Sequence, residues 1–381
     1  MKDSLLIGDD RIASVTREAG KGLAAADLAV EFLDPSDPRD MGSWLALWEQ
    51  WPGREVSAHP AYVRLFARPG DRVVCASART LHGGILYPLI VRPIASEPWA
   101  DGESAGCDLT SAYGYGGPFA WDVSDLEARA FWARFDGWAR SLGAVTSFTR
   151  LSLFPEQILP FHGELRDRGA NVVRTLNLTP DELWSDYEGK VRKNVQRARR
   201  EGLVVKFDET GDFLDDFAAV YESTMDRRQA LSQYYFPRSF FESIVSGLPG
   251  KFLFAHVMAG AQVVSSELLL LSADNAYFFL GGTLAEAFAR RPNDLLKHES
   301  FLHCRERGVK RFVLGGGYGS DDGLLRFKRS FAPGGDRPFR TGVKTFDALE
   351  AARLVERRRE WERSQGREWT PADGFFPAYR S

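Results

Sequence analysis

The chain has 381 residues, 44% of them hydrophobic and 13% aromatic, with a formal net charge of −3. That length and apolar content can fill a sizeable core and favour two domains over one, while the near-neutral charge leaves room for a local basic patch but excludes wholesale nucleic-acid binding. The three well-separated cysteines Cys75, Cys107 and Cys304 suit a reducing cytosol better than a disulfide framework. No run approaches the roughly 18 uncharged apolar residues of a membrane helix. The mixed, acidic start MKDSLLIGDDRIASV is unlike a signal peptide, so the expectation is a cytoplasmic protein.

Residues 1–25 are polar, lack periodicity and read as a flexible leader. Helical spacing follows over Met41–Trp51 and Pro60–Ala67. The stretch DRVVCASARTLHGGILYPLIVRPI reads as two strands around a turn at His82-Gly83-Gly84. A helix is expected over Ser124–Leu142, a strand near Val145–Leu153, a helix near Gln157–Arg168 and a strand near Val172–Leu178. The second half repeats the plan with a basic helix (Leu183–Glu201), a strand (Leu203–Phe207), a helix (Phe213–Met225) and three strands between Lys251 and Gly282. A helix over Leu295–Arg307 ends at Gly308, a residue suited to a helix C-cap, and Phe312–Leu314 is a strand. The similar hairpin grammar of the two halves points to duplication. A charged helix closes the chain and is expected to pack back on the body.

The stretch LGGGYGSDDGLLRFKRSF, Leu314–Phe331, looks at first like a phosphate cradle. Its glycines match neither GxGxxG nor a P-loop. A glycine-rich turn and a wall of an active site both remain open; in the second, Lys328 would bring a cation beside an accessible backbone. KVRKNVQRARREG sets six basic residues within the eleven from Lys190 to Arg200, with Val191, Val195 and Ala198 on one face. It reads as a solvated basic face or as a surface for an anionic ligand such as RNA or a nucleotide-linked precursor. LTSAYGYGGPFAW offers Tyr113 and Tyr115 on a glycine loop, for packing or for lining a substrate. Glu267 within VVSSELLLL is a base candidate if buried, since a buried carboxylate needs a partner or a raised pKa; an outward-facing position is the plain alternative. No GxSxG elbow or HExxH is present, and His298 and His303, five residues apart, fall on different helix faces, so no metal is expected.

RRPNDLLKHESFLHCRERGVKRFVLGGGYGSDDGLLRFKRSFAPGG, Arg290–Gly335, resembles the carboxy-terminal signature of Fem-type (FemABX-like) aminoacyltransferases and their N-acyltransferase relatives in the GNAT superfamily. KVRKNVQRARREGLVV resembles the basic helix that opens their second domain, and YGYGGP a loop of their first. The resemblance spans Phe32 to Phe346. It implies an α+β fold of two tandem GNAT-like domains, 26–178 and 179–346, with a cleft between them, followed by a C-terminal helix within 347–381.

The activity implied is transfer of an acyl or aminoacyl group from aminoacyl-tRNA or acyl-CoA to an amine acceptor such as a cell-wall or cell-surface precursor. No tightly bound cofactor and no DNA partner are implied. In the family the lysine of the FK pair lies in the cleft, which makes Lys328 the catalytic cation; Glu267, the base candidate, could accept the ammonium proton. Arg192, Lys193 and Arg227 would hold anionic parts of the substrates, and Tyr115, Tyr277, Gly316, Gly317 and Tyr318 would line the cleft. Two departures bear on the donor: no room exists between Phe240 and Phe252 for the coiled-coil insertion of some Fem enzymes, and ARRPND replaces the glycine loop by which many GNAT enzymes hold CoA. Two further readings stand beside transfer from aminoacyl-tRNA. One is an acyl-CoA-dependent N-acyltransferase of polysaccharide or small-amine metabolism; the other is a non-catalytic binder of a nucleotide-linked precursor.

Overall fold

The structure, a computed structural model, describes residues 28–100, 102, 106–317 and 323–381. The expected leader, 1–25, and Tyr318 lie outside them. One mixed sheet carries both halves of the chain. In the first half β1 (Glu31–Leu33), β2 (Arg72–Arg79), β3 (Gly84–Pro93), β4 (Cys107–Thr110) and β6 (Ala144–Arg150) lie side by side, with the short β5 (Phe119–Trp121) on β3. In the second half β8 (Val204–Asp208), β9 (Phe252–Ala259), β10 (Gln262–Leu271), β11 (Asn275–Thr283) and β12 (Arg311–Gly316) follow the same order. Each half has antiparallel neighbours and then one parallel pair, β4 with β6 and β11 with β12. A parallel pair needs a long crossover. Here the crossovers contain α3 (Asp125–Ser141) and α8 (Pro292–Glu306).

The sixth strand of each half comes from the other half of the sequence. β7 (Glu164–Thr175) pairs with β12, β13 (Asp336–Thr345) pairs with β6, and β7 and β13 join antiparallel at the seam. The boundary expected at residues 178 and 179 is therefore crossed twice by the sheet. The halves also share a core, in which Trp44, Tyr62 and Phe119 meet Phe217, Phe241, Tyr277 and Val313. Burying each large apolar side chain is worth about 1.5–3 kcal/mol, so parting the lobes would expose a substantial favourable surface.

Local chemistry explains most element ends. Asp37 caps α1 (Pro38–Gln50), His59 caps the short α2 (Pro60–Arg64), and Ser124 with Glu127 forms a reciprocal capping box on α3. Thr179 and Glu182 do the same for α4 (Pro180–Asp186). The expected single helix Leu183–Glu201 is two helices, because Tyr187 and Glu188 are extended before α5 (Gly189–Arg200). The expected helix Gln157–Arg168 does not form: Gln157 ends a short 3-10 turn, 158–163 carry no helix, and Glu164 opens β7, whose Glu164–Val172 pairs with Asp336–Val343; long-range pairing overrides local helical spacing. Helices α7 (Arg238–Gly247) and α9 (Gly323–Phe331) are additions to the expected plan. The C-terminal helix α10 (Ala348–Ser364) does pack back, placing Leu354 with Ile94, Trp99, Val145 and Tyr379.

Candidate active site

The parallel β11–β12 pairing ends at Tyr277 and Val313, although β11 continues to Thr283 and β12 to Gly316. Past that point β11 pairs only with β10 and β12 only with β7. The strands part, and a V opens in the sheet where their facing edges lose each other. A register shift between Val313 and Gly315 against β7 helps turn β12 away.

Lys328 reaches this opening from α9. It is 6% exposed, and its Nζ donates to the Gly316 carbonyl at 2.5 Å. Gly315 has φ +84°, and a Cβ there would sit 3.3 Å from Lys328 Nζ and 3.6 Å from the Tyr115 hydroxyl. Glycine thus serves twice at 315, by its backbone angle and by the space it leaves. At Gly316 a Cβ would press on the Ala170 carbonyl at 3.2 Å and Asn171 Oδ1 at 3.3 Å. Gly317 is exposed at the end of this run. The glycines therefore bring the backbone of β12 close to Lys328, Asn171 and Tyr115.

The first lobe completes the wall. Tyr115 donates to Asn171 Oδ1 at 2.6 Å, and its ring lies 5.6 Å from that of Tyr277. Tyr277 donates to Glu55 Oε2 at 2.8 Å, while Gln157 and Asn275 donate to Glu55 Oε1 at 2.9 and 2.5 Å. Arg311 Nε in turn donates to Asn275 Oδ1 at 2.8 Å. Burial raises the pKa values of Glu55, Tyr115 and Tyr277, with hydrogen bonds to Glu55 opposing the effect at that carboxyl. The result is a buried polar chain stitching the lobes together directly beside the V.

Glu267 is buried, at 1% exposure, and is not a lone carboxylate. Lys297 forms an ion pair with Oε2, and Ser300 donates to Oε1 at 2.6 Å. Lys297 Nζ lies 3.7 Å from the Phe278 ring centroid and Lys328 Nζ 5.9 Å from the same ring. The ion pair thus supports Phe278, across which Lys328 stands. Burial lowers the Lys297 pKa and the Glu267 charge opposes that fall.

The basic residues singled out in the sequence separate. Arg192 donates to the Ser185 carbonyl at 3.0 Å and to that of Tyr187, closing the end of α4. Lys193 is exposed on α5. Arg227, on α6 (Leu214–Arg228), donates to the Thr283 carbonyl at 2.9 Å and covers Phe288 at 4.8 Å. Thr283 and Phe288 both line a cavity of about 770 Å³ between α5, the start of α8 and α9. The ARRPND segment supplies Arg291–Asp294 to its wall, and Lys190, Arg326 and Arg329 make four basic side chains against the two acids Glu188 and Asp294. Asn194 donates to Asp294 at 3.0 Å, and burial raises the Asp294 pKa.

His298 meets the Tyr187 hydroxyl at 3.2 Å and His303 stacks on Phe207, so the two histidines face different neighbours. Among the described residues no cluster of three or more His, Cys, Asp or Glu side chains is placed to hold a metal, and no helix is long and apolar enough to cross a membrane. Sequence reasoning singled out Lys328, the glycines, Tyr115 and Tyr277, which the structure places near one another. It missed Glu55, Asn171 and Asn275, which are isolated polar residues that acquire partners only when distant strands meet.

Comparison with known proteins agrees with this geometry. Residues 185–329, which contain the V, the cavity and Lys328, match the family described as acetyltransferase (GNAT) domain. The crystal structure of FemX superposes with a TM-score of 0.59 at 14% identity, covering 81% of this chain and 94% of that one. The C-terminal domain of a putative lysylphosphatidylglycerol synthetase from Agrobacterium fabrum gives a TM-score of 0.52 at 16% identity, covering 83% and 96%. L-PGS from Bacillus licheniformis gives 0.51 at 15% identity, covering 86% and 97%. No curated protein sequence matches the chain. The fold is therefore FemX-like, and the segment similar to a GNAT acetyltransferase domain, residues 185–329, carries Lys328, β12 and the ARRPND segment.

Proposed function

We propose that the protein transfers an acyl or aminoacyl group from a phosphate-bearing activated donor to an amine. The observation that carries this reading is the buried Lys328 ammonium at the mouth of the β11–β12 opening, held on the Gly316 carbonyl beside residues of both lobes. Lys190, Arg291 and Arg326 in the 770 Å³ cavity, with Arg227 at its edge, suit the donor's phosphates, while Arg329 is held by Asp336. The acyl carbon would then lie along the widened part of the V.

The acceptor enters as a neutral amine. Its nitrogen lone pair attacks the carbonyl carbon, the C–N bond forms, and negative charge collects on the carbonyl oxygen. Lys328 stabilises that charge, because a fixed cation in a water-poor site does most where charge develops. Collapse breaks the C–O bond of an aminoacyl ester or the C–S bond of a thioester. The proton lost by the attacking nitrogen passes to the departing oxygen or sulfur, directly or through water, so that the step is neutral overall. Holding both substrates in line supplies much of the remaining acceleration.

A lysyl group appears in the name of one structural neighbour, which keeps an aminoacyl donor alongside acyl-CoA. Purified protein incubated with labelled aminoacyl-tRNA or labelled acetyl-CoA, each with a set of amine acceptors, separates the donors. Transfer from one donor, abolished by Lys328→Ala, is the expected result. Binding of a cell-wall precursor without transfer from either donor would instead identify a non-catalytic binder.

A further inference from the structure

Arg150 ends β6, next to the seam. Its neighbour Thr149 turns into the first-lobe core, where its hydroxyl meets that of Tyr87 at 2.6 Å. Strand alternation directs Arg150 the other way. Its guanidinium lies over the rings of Phe148 and Tyr113 at 5.1 and 5.7 Å. Among the described residues its guanidinium pairs with no carboxylate, while its backbone N–H donates to Ser111 Oγ and its carbonyl accepts from the Gly116 N–H. Burial lowers its pKa, and a second cation, Arg168, acts in the same direction. Arg168 donates to neutral oxygens, Thr341 Oγ1 at 3.0 Å and the Gly374 carbonyl at 3.3 Å. A half-buried guanidinium with no acid beside it is costly unless an anion arrives to complete it.

The surroundings are aromatic and drawn from both lobes. Phe66 lies 5.1 Å from Tyr62, 6.0 Å from Tyr113, 5.9 Å from Phe240 and 6.4 Å from Phe279. Tyr113 remains 46% exposed, so this wall faces an incoming molecule. The same loop leads to Lys328. Tyr113 and Tyr115 are two residues apart, a Cα separation of at most about 7 Å. The Tyr115 hydroxyl in turn borders the space off Gly315 that also touches Lys328 Nζ. None of these ring residues lines the cationic cavity assigned to the donor.

We propose that Arg150, with the ring wall of Tyr62, Phe66 and Tyr113, is an oxyanion subsite for the acceptor, which is an amine carrying a carboxylate or phosphate at its other end. The anion docks on the guanidinium fork and the chain of the acceptor crosses Tyr115, so that the amine meets the acyl carbon at Lys328. The identity of the bound molecule as acceptor rests on the transfer reading above. The subsite itself is testable by binding alone, without turnover.

The test titrates the full chain with phenyl phosphate, phenylacetate and neutral phenylacetamide, followed by calorimetry. The wild type is expected to bind at least one anion about 10–100-fold more tightly than the amide, and Arg150→Gln to lose that preference. Stronger binding of phenyl phosphate assigns a phosphate-bearing acceptor, and stronger binding of phenylacetate a carboxylate. Lys328→Ala is expected to bind the anions as the wild type does, so a protein that binds them yet transfers from no donor counts against the transferase reading and not against the subsite. Should Arg150→Gln fail to fold, Arg150→Lys and Tyr113→Ala carry the test, each with an expected loss of about 3–10-fold. Equal binding of anions and amide by the wild type, or unchanged anion binding in the folded variants, overturns the proposal.

Discussion

The ammonium of Lys328 rests 2.5 Å from the carbonyl oxygen of Gly316, three residues beyond the last residue at which β12 pairs with β11. A side chain from a late helix is thereby fixed at the place where the sheet opens. The α9 backbone and the Gly316 carbonyl set its position before any substrate binds, which is the condition under which a cation stabilises a transition state most effectively.

Lys328→Ala is expected to lower kcat by about 10²–10³-fold, the scale of losing one oxyanion donor. Lys328→Met, which keeps most of the volume, should lose as much activity while holding the wild-type thermal midpoint more closely. Initial rates on the donor found active, with circular dichroism for the fold, decide the matter. Near-normal kcat in either variant would remove Lys328 from the chemistry.

Gly315→Ala tests the approach of β12 to that lysine. The left-handed backbone at 315 and the 3.3 Å contact with Nζ both penalise a Cβ. The expected cost is about 1–3 kcal/mol of stability, with a rate loss of about 10–100-fold from displacement of the cation. Urea denaturation and kcat report the two effects separately, and a variant unchanged in both would show that the close approach is immaterial.

Lys297→Ala leaves Glu267 buried without its cation and is expected to destabilise the fold by about 3–5 kcal/mol. The pair Glu267→Gln with Lys297→Met should recover most of that loss, since replacing both partners avoids an uncompensated buried charge. Chemical denaturation of the single and double variants measures the difference. A double variant no more stable than Lys297→Ala would contradict the ion-pair account.

Acid should weaken the fold through His256. Its Nδ1 meets Ser266 Oγ at 2.9 Å, it is fully buried, and burial lowers its pKa to about 4 from 6.5. Between those values the unfolded chain binds the proton and the folded chain does not, so stability rises with pH across that window and is lost as pH falls from 6.5 toward 4. One such group contributes a slope of at most about 1.4 kcal/mol per pH unit. His298, also lowered to about 4 by burial, acts in the same direction. His256→Gln should flatten the curve of unfolding free energy against pH by about one proton; an unchanged slope would mean that His256 is already charged in the fold.

Hydrophobic periodicity and turn residues made most elements legible in advance. The alternating stretches on either side of His82-Gly83-Gly84 become β2 and β3, and the Ala259-Gly260 turn joins β9 to β10. Ser124 announces α3 because its side chain caps within its own first turn. Lys328 was legible through a motif, and the glycines before it through their backbone freedom. Those signals are local, carried by residues a few positions apart.

What the chain's order of residues determined by itself is the set of α and β segments, the repeated hairpins and the chemical types available at the site. Tertiary structure alone decided that β7 and β13 exchange lobes, that Gln157–Arg168 leads into a strand rather than a helix, and that Glu267 lies against Lys297 while Glu55 gathers Gln157, Asn275 and Tyr277. The reason is physical. A strand's partners and a buried charge's solvation come from residues a hundred or more positions away, or from a neighbouring layer, and their energies exist only once those layers meet.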